Sequence, residues 1–164
     1  MQGPRQPVWN FISYLAQTKA IMHKLDVISV LSTVDEMLEY WHLIEYLGYP
    51  ANIEEYKTLL TEMVKRGYTQ IVYEEEGEAL GLAGFWVNTK LFSGKYIDVD
   101  NVIVNPSKRS KGIGSVLMNW IEKHAKDIDA KMIVLDAFVG STQAHKFYFK
   151  ENYIVKGFHF AKDI

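Results

Sequence analysis

The chain has 164 residues, of which 48% are apolar and 23% charged; this composition excludes a disordered or low-complexity protein and fits one domain with its own core. It contains no Cys, which excludes a disulfide framework, a Cys-ligated metal site and a Cys nucleophile. The lack of Cys fits a reducing compartment, so the cytoplasm is the expected location. The formal net charge of -2 argues against a basic nucleic-acid-binding protein, and we expect no nucleic acid among its partners.

The N-terminal segment is the first region that needs interpretation. Residues 8–16 resemble the core of a signal peptide, but Asn10 and Ser13 interrupt them and no small-residue cleavage pattern follows. No apolar run approaches the roughly 18–20 residues that span a membrane, so no membrane partner is expected. We interpret residues 1–22 as an N-terminal extension and residues 23–164 as one domain.

The domain is predicted to begin with a strand and a helix. A short apolar strand covers residues 27–31, and Thr33 and Glu36 after it match a capping box, in which side chain and backbone bond reciprocally at a helix start. Apolar residues at helical spacing carry this helix to Gly48, and Pro50 prevents it from continuing.

The remaining elements alternate between helices and strands. They are predicted to be a helix between Asn52 and Gly67, strands over 69–73, 79–87 and 96–104, a helix over 112–126, a strand over 131–137, a helix over 141–150 and a last strand over 153–161. Because both hairpin and crossover connections occur, we expect a mixed α/β sheet flanked by helices.

The stretch after the third of these later strands has the features of an anion-binding loop. An Asn-Pro turn leads into residues 109–115 (RSKGIGS), and a helix begins within them. Gly112 and Gly114 let the backbone approach a ligand closely, and the free N–H groups of the helix start attract an anion. Lys108, Arg109 and Lys111 add positive charge. The alternative is an ordinary Gly-containing turn with exposed basic residues, since the spacing matches neither a Walker A loop nor a dinucleotide fingerprint.

Two segments together resemble a known family. A strand ending in V-I-V, an N-P turn, R-x-x-G-x-G over 109–114 and a helix resemble the acetyl-coenzyme A (acetyl-CoA) site of the GNAT family of N-acetyltransferases. Residues 141–148 (STQAHKFY) are similar to the family's second signature, N-x-x-A-x-x-F-Y. Gly81, Gly84 and Phe85 resemble the strand that precedes the cofactor strand, so the resemblance covers most of the chain.

Three positions depart from the family's pattern. Ser141 stands where Asn is usual, Ser110 where Gly is common, and Asn152 where the second signature normally has Gly. Asn tolerates a left-handed backbone better than other non-glycine residues, so Asn152 is expected to keep that turn. The run 144–148 and the ending 158–162 also resemble small-amine acetyltransferases of the aminoalkylphosphonate type.

The resemblance implies the acyl-CoA N-acyltransferase fold, with a single, mostly antiparallel sheet flanked by helices. It implies acetyl-CoA as the acyl donor and coenzyme A (CoA) as the product. The residues implied to bind the cofactor are Val102, Ile103, Val104, Arg109, Ser110, Lys111, Gly112, Ile113, Gly114, Ser115, Ser141, Ala144 and Phe147. In the family, backbone N–H groups at the positions of Val102 and Ile103 polarise the acetyl carbonyl, and the strand pairs with the pantetheine arm.

Acetyl transfer from a thioester to an amine needs a deprotonated amine and a proton for the leaving thiolate. An alkylammonium has a pKa near ~10 and needs desolvation or a base at neutral pH. Asp98 and Asp100 lie on one face of the predicted strand. The resemblance puts Asp100 where the family often has an acidic residue near the acceptor amine, so Asp100 is our candidate base, direct or through water, with Asp98 as a helper or as the group that attracts the ammonium. The alternative is that both are solvated strand residues.

Tyr148 is the candidate acid for the CoA thiolate. Its ordinary pKa of ~10 is close to that of an alkyl thiol, which makes the proton transfer nearly balanced. The alternative is a core aromatic residue beside Phe147. The five His residues show no ligand spacing, and no metal is expected.

The sequence therefore predicts an N-acetyltransferase that moves an acetyl group from acetyl-CoA to the primary amine of a small molecule by direct attack. Two alternatives remain open: acetylation of a protein or peptide amine, which needs an open groove, and a non-catalytic acyl-CoA-binding module. Family habit suggests a monomer or a homodimer.

Overall fold

The computed structural model describes residues 27–164, and the predicted extension over residues 1–22 lies outside the described residues. The strands are β1 (Ile28–Leu31), β2 (Thr69–Glu75), β3 (Glu78–Lys90), β4 (Gly94–Val104) and β5 (Met132–Leu135). The α-helices are α1 (Val34–Leu38), α2 (Trp41–Ile44), α3 (Ile53–Lys65), α4 (Ile113–Asp127) and α5 (Thr142–Lys150). Short 3₁₀ turns cover Glu45–Leu47 and Pro106–Lys108.

The strands form a five-stranded sheet in the order β1-β2-β3-β4-β5. Neighbours pair antiparallel from β1 to β4, whereas β5 pairs parallel with β4. The parallel pair follows from the connection, because α4 crosses over the sheet between β4 and β5. The mixed, mostly antiparallel sheet flanked by helices is thus confirmed.

Successive strand residues point to opposite sides of the sheet, so both faces carry apolar residues. Helices cover both faces. On one face Leu117 and Ile121 of α4 pack on buried strand residues, among them Ile71, Phe85 and Ile97. On the other face α1, α2 and α3 pack on a second buried set, among them Leu43, Leu60, Val72, Leu82 and Ile103. We call these the α4 face and the α1–α3 face.

The first helical region differs in part from its prediction. The capping box is present, because Thr33 Oγ1 accepts from Glu36 N (3.3 Å) and Glu36 Oε2 accepts from Thr33 N (2.9 Å). The single helix up to Gly48 is wrong: α1 ends at Leu38, and α2 begins after Tyr40. The break lets the Tyr40 hydroxyl reach Glu74 on β2 (3.4 Å), a tertiary contact that helical spacing does not encode.

A bulge interrupts the pairing of β3 with β4. Gly84 stands opposite Asn101 and Phe85 opposite Val99, so Asp100 is an extra residue on β4. On the other side of β4, pairing with β5 covers only Tyr96–Val99. Residues 100–104 therefore face an edge that β5 does not cover, and alternate backbone N–H and C=O groups point toward it.

The predicted last strand over 153–161 is wrong, because no strand forms after α5. In this segment Phe158 and Phe160 are 86% and 89% exposed, and His159 Nδ1 contacts Asp136 Oδ2 at 2.7 Å. A strand needs a partner edge, and the local sequence of this segment carries no information about one. Among the described residues, no helix is long and apolar enough to cross a membrane.

Candidate functional site

The loop between β4 and α4 is shaped by two left-handed residues. Ser110 has φ +65° and Gly112 has φ +82°. Asn105 holds the turn before them, because its Oδ1 accepts from Ser107 N (3.1 Å) and Ser107 Oγ (2.9 Å). Gly112 is the N-cap of α4 and forms no side-chain cap, so the first N–H groups of the helix have no side-chain partner. Such a helix start binds anions.

Eight of the predicted cofactor residues line one pocket at this loop. Together with Lys150 of α5, the lining residues are Val104, Arg109, Ser110, Gly112, Ile113, Gly114, Ser115 and Phe147. The side chains of Arg109 and Lys150 are cations, and the α4 N–H groups are donors. This set of donors and cations fits the pyrophosphate of acetyl-CoA.

Helix α5 forms one wall of the pocket through a close approach to α4. A Cβ at Gly114 would lie 3.0 Å from Phe147 Cζ, so glycine is what lets the Phe147 ring pack there. Ser115 Oγ donates to Glu151 Oε1 at 2.6 Å, which ties the start of α4 to the end of α5. Asn152 then turns the chain with φ +64°, as its sequence context predicted.

Some of the predicted residues lie outside this pocket. Lys111, Ser141 and Ala144 do not line it, and their roles in cofactor binding stay predictions. Lys108 pairs with Glu78 at 2.9 Å, so its charge is directed to that carboxylate instead of the pocket. Lys150 was missed, although its position one helical turn after Phe147 puts both on one side of α5.

Val102 and Ile103 lie on the uncovered part of β4. Val102 pairs with Ala83 and Ile103 with Leu82, so β3 satisfies one side of the β4 backbone here. The other side is the edge beyond the reach of β5. An extended ligand chain could pair with this edge as an added strand.

The bulge decides where the two candidate carboxylates point. Val99 and Val102 both pack on the α4 face although they are three positions apart, which simple alternation forbids. The bulge explains this, because it lets Asp100 and Asn101 together occupy one step of the alternation. Asp98 and Asp100 therefore lie on the α1–α3 side of the strand, away from α4.

Both carboxylates have raised pKa values. Desolvation raises the pKa of the partly buried Asp98, and the positive charge of Lys90 opposes it. Desolvation also raises the pKa of Asp100, although its side chain reaches the surface. A hydrogen bond from Asn101 Nδ2 to Asp100 Oδ2 (2.7 Å) lowers that pKa, and the charge of Asp98 raises it. A raised pKa makes a carboxylate a better proton acceptor.

Tyr148 is partly buried on α5. Its ring packs against the rings of Phe147 and Tyr153, whose centroids lie 5.1 and 5.9 Å from its own. It also packs against the buried residues of the α4 face. Burial raises the pKa of Tyr148 to about 12. The hydroxyl therefore keeps its proton at neutral pH, and its transfer to a thiolate is less balanced than the ordinary pKa of ~10 suggested.

The comparison with protein families agrees with this geometry. The model of the "Acetyltransferase (GNAT) family" matches residues 35–152. The chain belongs to the GNAT acetyltransferase family. Acetyl-CoA is the acyl donor of this family, and the matched range holds both the 109–115 loop and α5.

Similar proteins are known from sequence and from structure. The aminoalkylphosphonate N-acetyltransferase of Salmonella typhimurium is 30% identical over 87 residues, which are 52% of this chain and 56% of that protein. The chain thus matches little more than half the length of this curated relative. Two solved GNAT structures share the fold. The ribosomal-protein-alanine N-acetyltransferase of Brucella melitensis has TM-score 0.71 and 19% identity over 84% of this chain and 98% of that one. Aminoglycoside N-acetyltransferase AAC(6')-Iy in complex with CoA has TM-score 0.71 and 15% identity over 83% and 94%.

Backbone conformation explains the departures from the GNAT signatures at Ser110 and Asn152, whereas nothing in the structure explains the one at Ser141. Ser110 has a left-handed φ, the conformation that Gly adopts without strain, which accounts for the Gly usual there. Ser141 precedes α5 as its N-cap without forming a side-chain cap. In residues 27–164 no group of three His, Cys, Asp or Glu residues could hold a metal ion.

Proposed function

We propose that this chain transfers the acetyl group of acetyl-CoA to the primary amine of a small molecule, by direct attack of the amine on the thioester. The observation that carries the proposal is the arrangement along β4. A pocket with cationic side chains and helix N–H groups lies at one end, and an uncovered edge runs from it to Asp100, with Asp98 just beyond. Two relatives act, by their names, on small amines, an aminoalkylphosphonate and an aminoglycoside.

When bound, acetyl-CoA supplies an acyl group activated as a thioester. The N–H groups at the start of α4, with Arg109 and Lys150, hold the pyrophosphate. The uncovered backbone at Val102 and Ile103 pairs with the pantetheine arm and offers N–H donors to the acetyl carbonyl. These interactions are preorganised, because β3 fixes the same residues from the other side.

The carboxylates handle the acceptor. Asp98 and Asp100 attract a cationic amine to the end of β4 remote from the basic loop, and Asp100 accepts the ammonium proton. Tyr148 donates the proton that the thiolate of CoA requires. The burial of Tyr148 favours this role because the hydroxyl remains protonated. It also opposes the role, because each unit by which the pKa rises adds about 1.4 kcal/mol to the free energy of the proton transfer.

The test is release of the CoA thiol on mixing the protein with acetyl-CoA and a panel of acceptors. The panel holds small cationic primary amines, an aminoalkylphosphonate, which carries an anionic group beside its amine, a Lys-containing peptide, and a sample without amine. We expect turnover with small cationic amines. Turnover with the peptide alone would favour acetylation of a protein amine, and tight binding of CoA without turnover would favour a non-catalytic binding module.

We expect a monomer or a homodimer, which sedimentation of the full chain measures. The cytoplasm stays the expected compartment, because the chain has no Cys.

A further inference from the structure

A chain of hydrogen bonds runs from buried residues on the α1–α3 face to the bulge in β4. Gln70 on β2 is fully buried and donates from Nε2 to the hydroxyl of Tyr56 (2.8 Å) and to that of Tyr68 (3.3 Å). Asn101 donates from Nδ2 to the Tyr68 hydroxyl (3.2 Å) and to Asp100 Oδ2 (2.7 Å). Each amide nitrogen uses both of its donors, and the Tyr68 oxygen accepts two bonds, which fills its acceptor positions.

Gly84 makes this arrangement possible. It stands opposite Asn101, and a Cβ at this position would overlap the Tyr68 hydroxyl. The missing side chain lets the Tyr68 ring cross β3 and reach β4. The ring is 2% exposed and packs against Trp86, with centroids 5.0 Å apart, so packing fixes its orientation.

This hydrogen-bond network differs from ordinary core packing because it runs from buried residues to a carboxylate at the surface. Apolar residues would fill the same space without the cost of burying amides and hydroxyls. Here Tyr56, Tyr68 and Gln70 are 5%, 2% and 0% exposed, Asn101 is partly buried, and the last acceptor is a carboxylate at the surface. The buried groups are held in fixed positions, and through the bond from Asn101 they fix the position of one atom at the surface, Asp100 Oδ2.

We propose that Asn101 and Tyr68 are positioning residues for Asp100: they hold Oδ2 and leave Oδ1 to accept the proton of the acceptor amine. This inference rests on the proposed function, in which Asp100 is the base. In the transfer an N–H bond of the ammonium breaks, an O–H bond forms at Oδ1, and the lone pair left on nitrogen forms a bond to the thioester carbon. The C–S bond then breaks, the thiolate takes a proton from Tyr148, and the nitrogen loses its second proton, which replaces the one that Tyr148 gave. Asp100 becomes a neutral acid and later returns its proton to solvent.

The hydrogen bond also tunes the carboxyl group. It favours the charged form, so it lowers the pKa of Asp100 against the larger effect of desolvation. The other groups that face Asp100 are the Asp98 carboxylate on β4, which raises its pKa, and the phenol of Tyr68 before β2. Removing the Asn101 amide therefore raises the pKa of Asp100.

The test uses Asn101→Ala and Tyr68→Phe in the full chain, with Asn88→Ala as the matched control on the exposed part of β3. The carboxyl carbon of Asp100 is titrated by ¹³C NMR without any ligand, and its signal is assigned from Asp100→Asn. We expect the pKa of Asp100 to rise in Asn101→Ala, to rise less in Tyr68→Phe, and to stay unchanged in Asn88→Ala. We expect kcat in Asn101→Ala to fall roughly 10- to 100-fold with KM for acetyl-CoA unchanged, and the acidic limb of its pH profile to move up with the pKa.

One result would overturn the positioning role of Asn101 and Tyr68, and a different result would overturn the proposed function. An unchanged Asp100 titration in Asn101→Ala, with kcat and pH profile of the wild type, would overturn the positioning role even if the wild type acetylates amines. A wild type that turns over no acceptor would overturn the proposed function, on which the inference rests, whatever the titration shows.

Discussion

Gly112 is the residue at which the anion-binding loop becomes α4. Its φ of +82° is left-handed, and a Cβ there would meet no atom within 4 Å. A side chain at this position therefore acts through backbone strain and through its own charge, without a steric clash inside the protein. The same substitution at a glycine with similar backbone geometry outside the pocket introduces the same strain. The difference between the two variants then reports the effect of a charge placed at the loop.

Gly112→Asp is expected to weaken CoA binding by roughly 100-fold, because it places a negative charge beside the pyrophosphate site. Calorimetry with CoA measures this. Gly48→Asp is the matched control, since Gly48 has φ +77°, open space around it and no place in the pocket. Equal affinities in the two variants would show that the loop does not hold the phosphates.

Tyr148→Phe removes the proposed proton donor and keeps the ring that packs against Phe147 and Tyr153. We expect turnover to fall by roughly 10²–10⁴-fold with CoA affinity nearly intact, because general acids contribute about this much. Single-turnover and binding measurements separate the two effects. Wild-type turnover at saturating acetyl-CoA would leave Tyr148 as a packing residue only.

Asp100→Asn keeps the shape of the side chain and removes the proposed base. The variant depends on amine that is already deprotonated, and this fraction grows about tenfold per pH unit below the amine's pKa of ~10. Relative to the wild type, turnover should therefore be lowest at low pH, by roughly 10²–10⁴-fold, and recover as pH rises. A pH–rate profile that overlays the wild type would mean that another group or water deprotonates the amine.

The residues of the pocket could be predicted largely because they are neighbours in the chain. The loop over 109–115 and the α5 residue Phe147 each belong to a short pattern, and the structure places them together. The Tyr68–Asn101 bond could not be predicted, because it joins residues 33 positions apart and depends on a bulge that shifts the register by one residue. Gln70 within an apolar strand was the available signal.

Helices and strands were predictable where their ends are set locally. The cap at Thr33, the cap at Asn52, whose Oδ1 accepts from Glu55 N at 2.9 Å, and the left-handed Gly67 all follow from adjacent residues. The break after α1 and the missing last strand depend on distant partners. Propensity and periodicity carry no information about such partners.

The packing of α5 on α4 gives a prediction for this pair of helices. A Cβ from Gly114→Ala would press on the Phe147 ring at 3.0 and 3.1 Å, so α5 must shift. We expect a destabilisation of about 1–3 kcal/mol and weaker CoA binding, because the shift moves one wall of the pocket.

Phe147→Leu should relieve this overlap, so the two substitutions are expected to couple by about 1 kcal/mol or more in a double-mutant cycle of chemical denaturation. Gly140→Ala is the control, since a Cβ there meets nothing within 4 Å. Additive effects of the two substitutions would show that the helices do not press on each other at this point.

In the whole molecule, β4 joins two halves of the site that lie on opposite sides of the sheet. In the proposed function, the pocket of α4 and α5 takes the anionic cofactor at one end of the strand, and the polar network on the α1–α3 face holds Asp100 farther along it. The basic loop and the two carboxylates thus draw partners of opposite charge toward the uncovered edge between them.

Cofactor binding should stabilise the whole domain, because the pocket joins the consecutive end of β4 and start of α4 to α5, which comes after β5 in the chain. A ligand that binds only the folded state at 100 times its Kd adds about 2.7 kcal/mol. For a chain of this size we therefore expect CoA to raise Tm by roughly 5–11 °C in a thermal scan. The shift should shrink in 1 M salt, which screens the charges of Arg109 and Lys150. It should be retained in Gly48→Asp and lost in Gly112→Asp, and an equal shift in both variants would place CoA elsewhere on the protein.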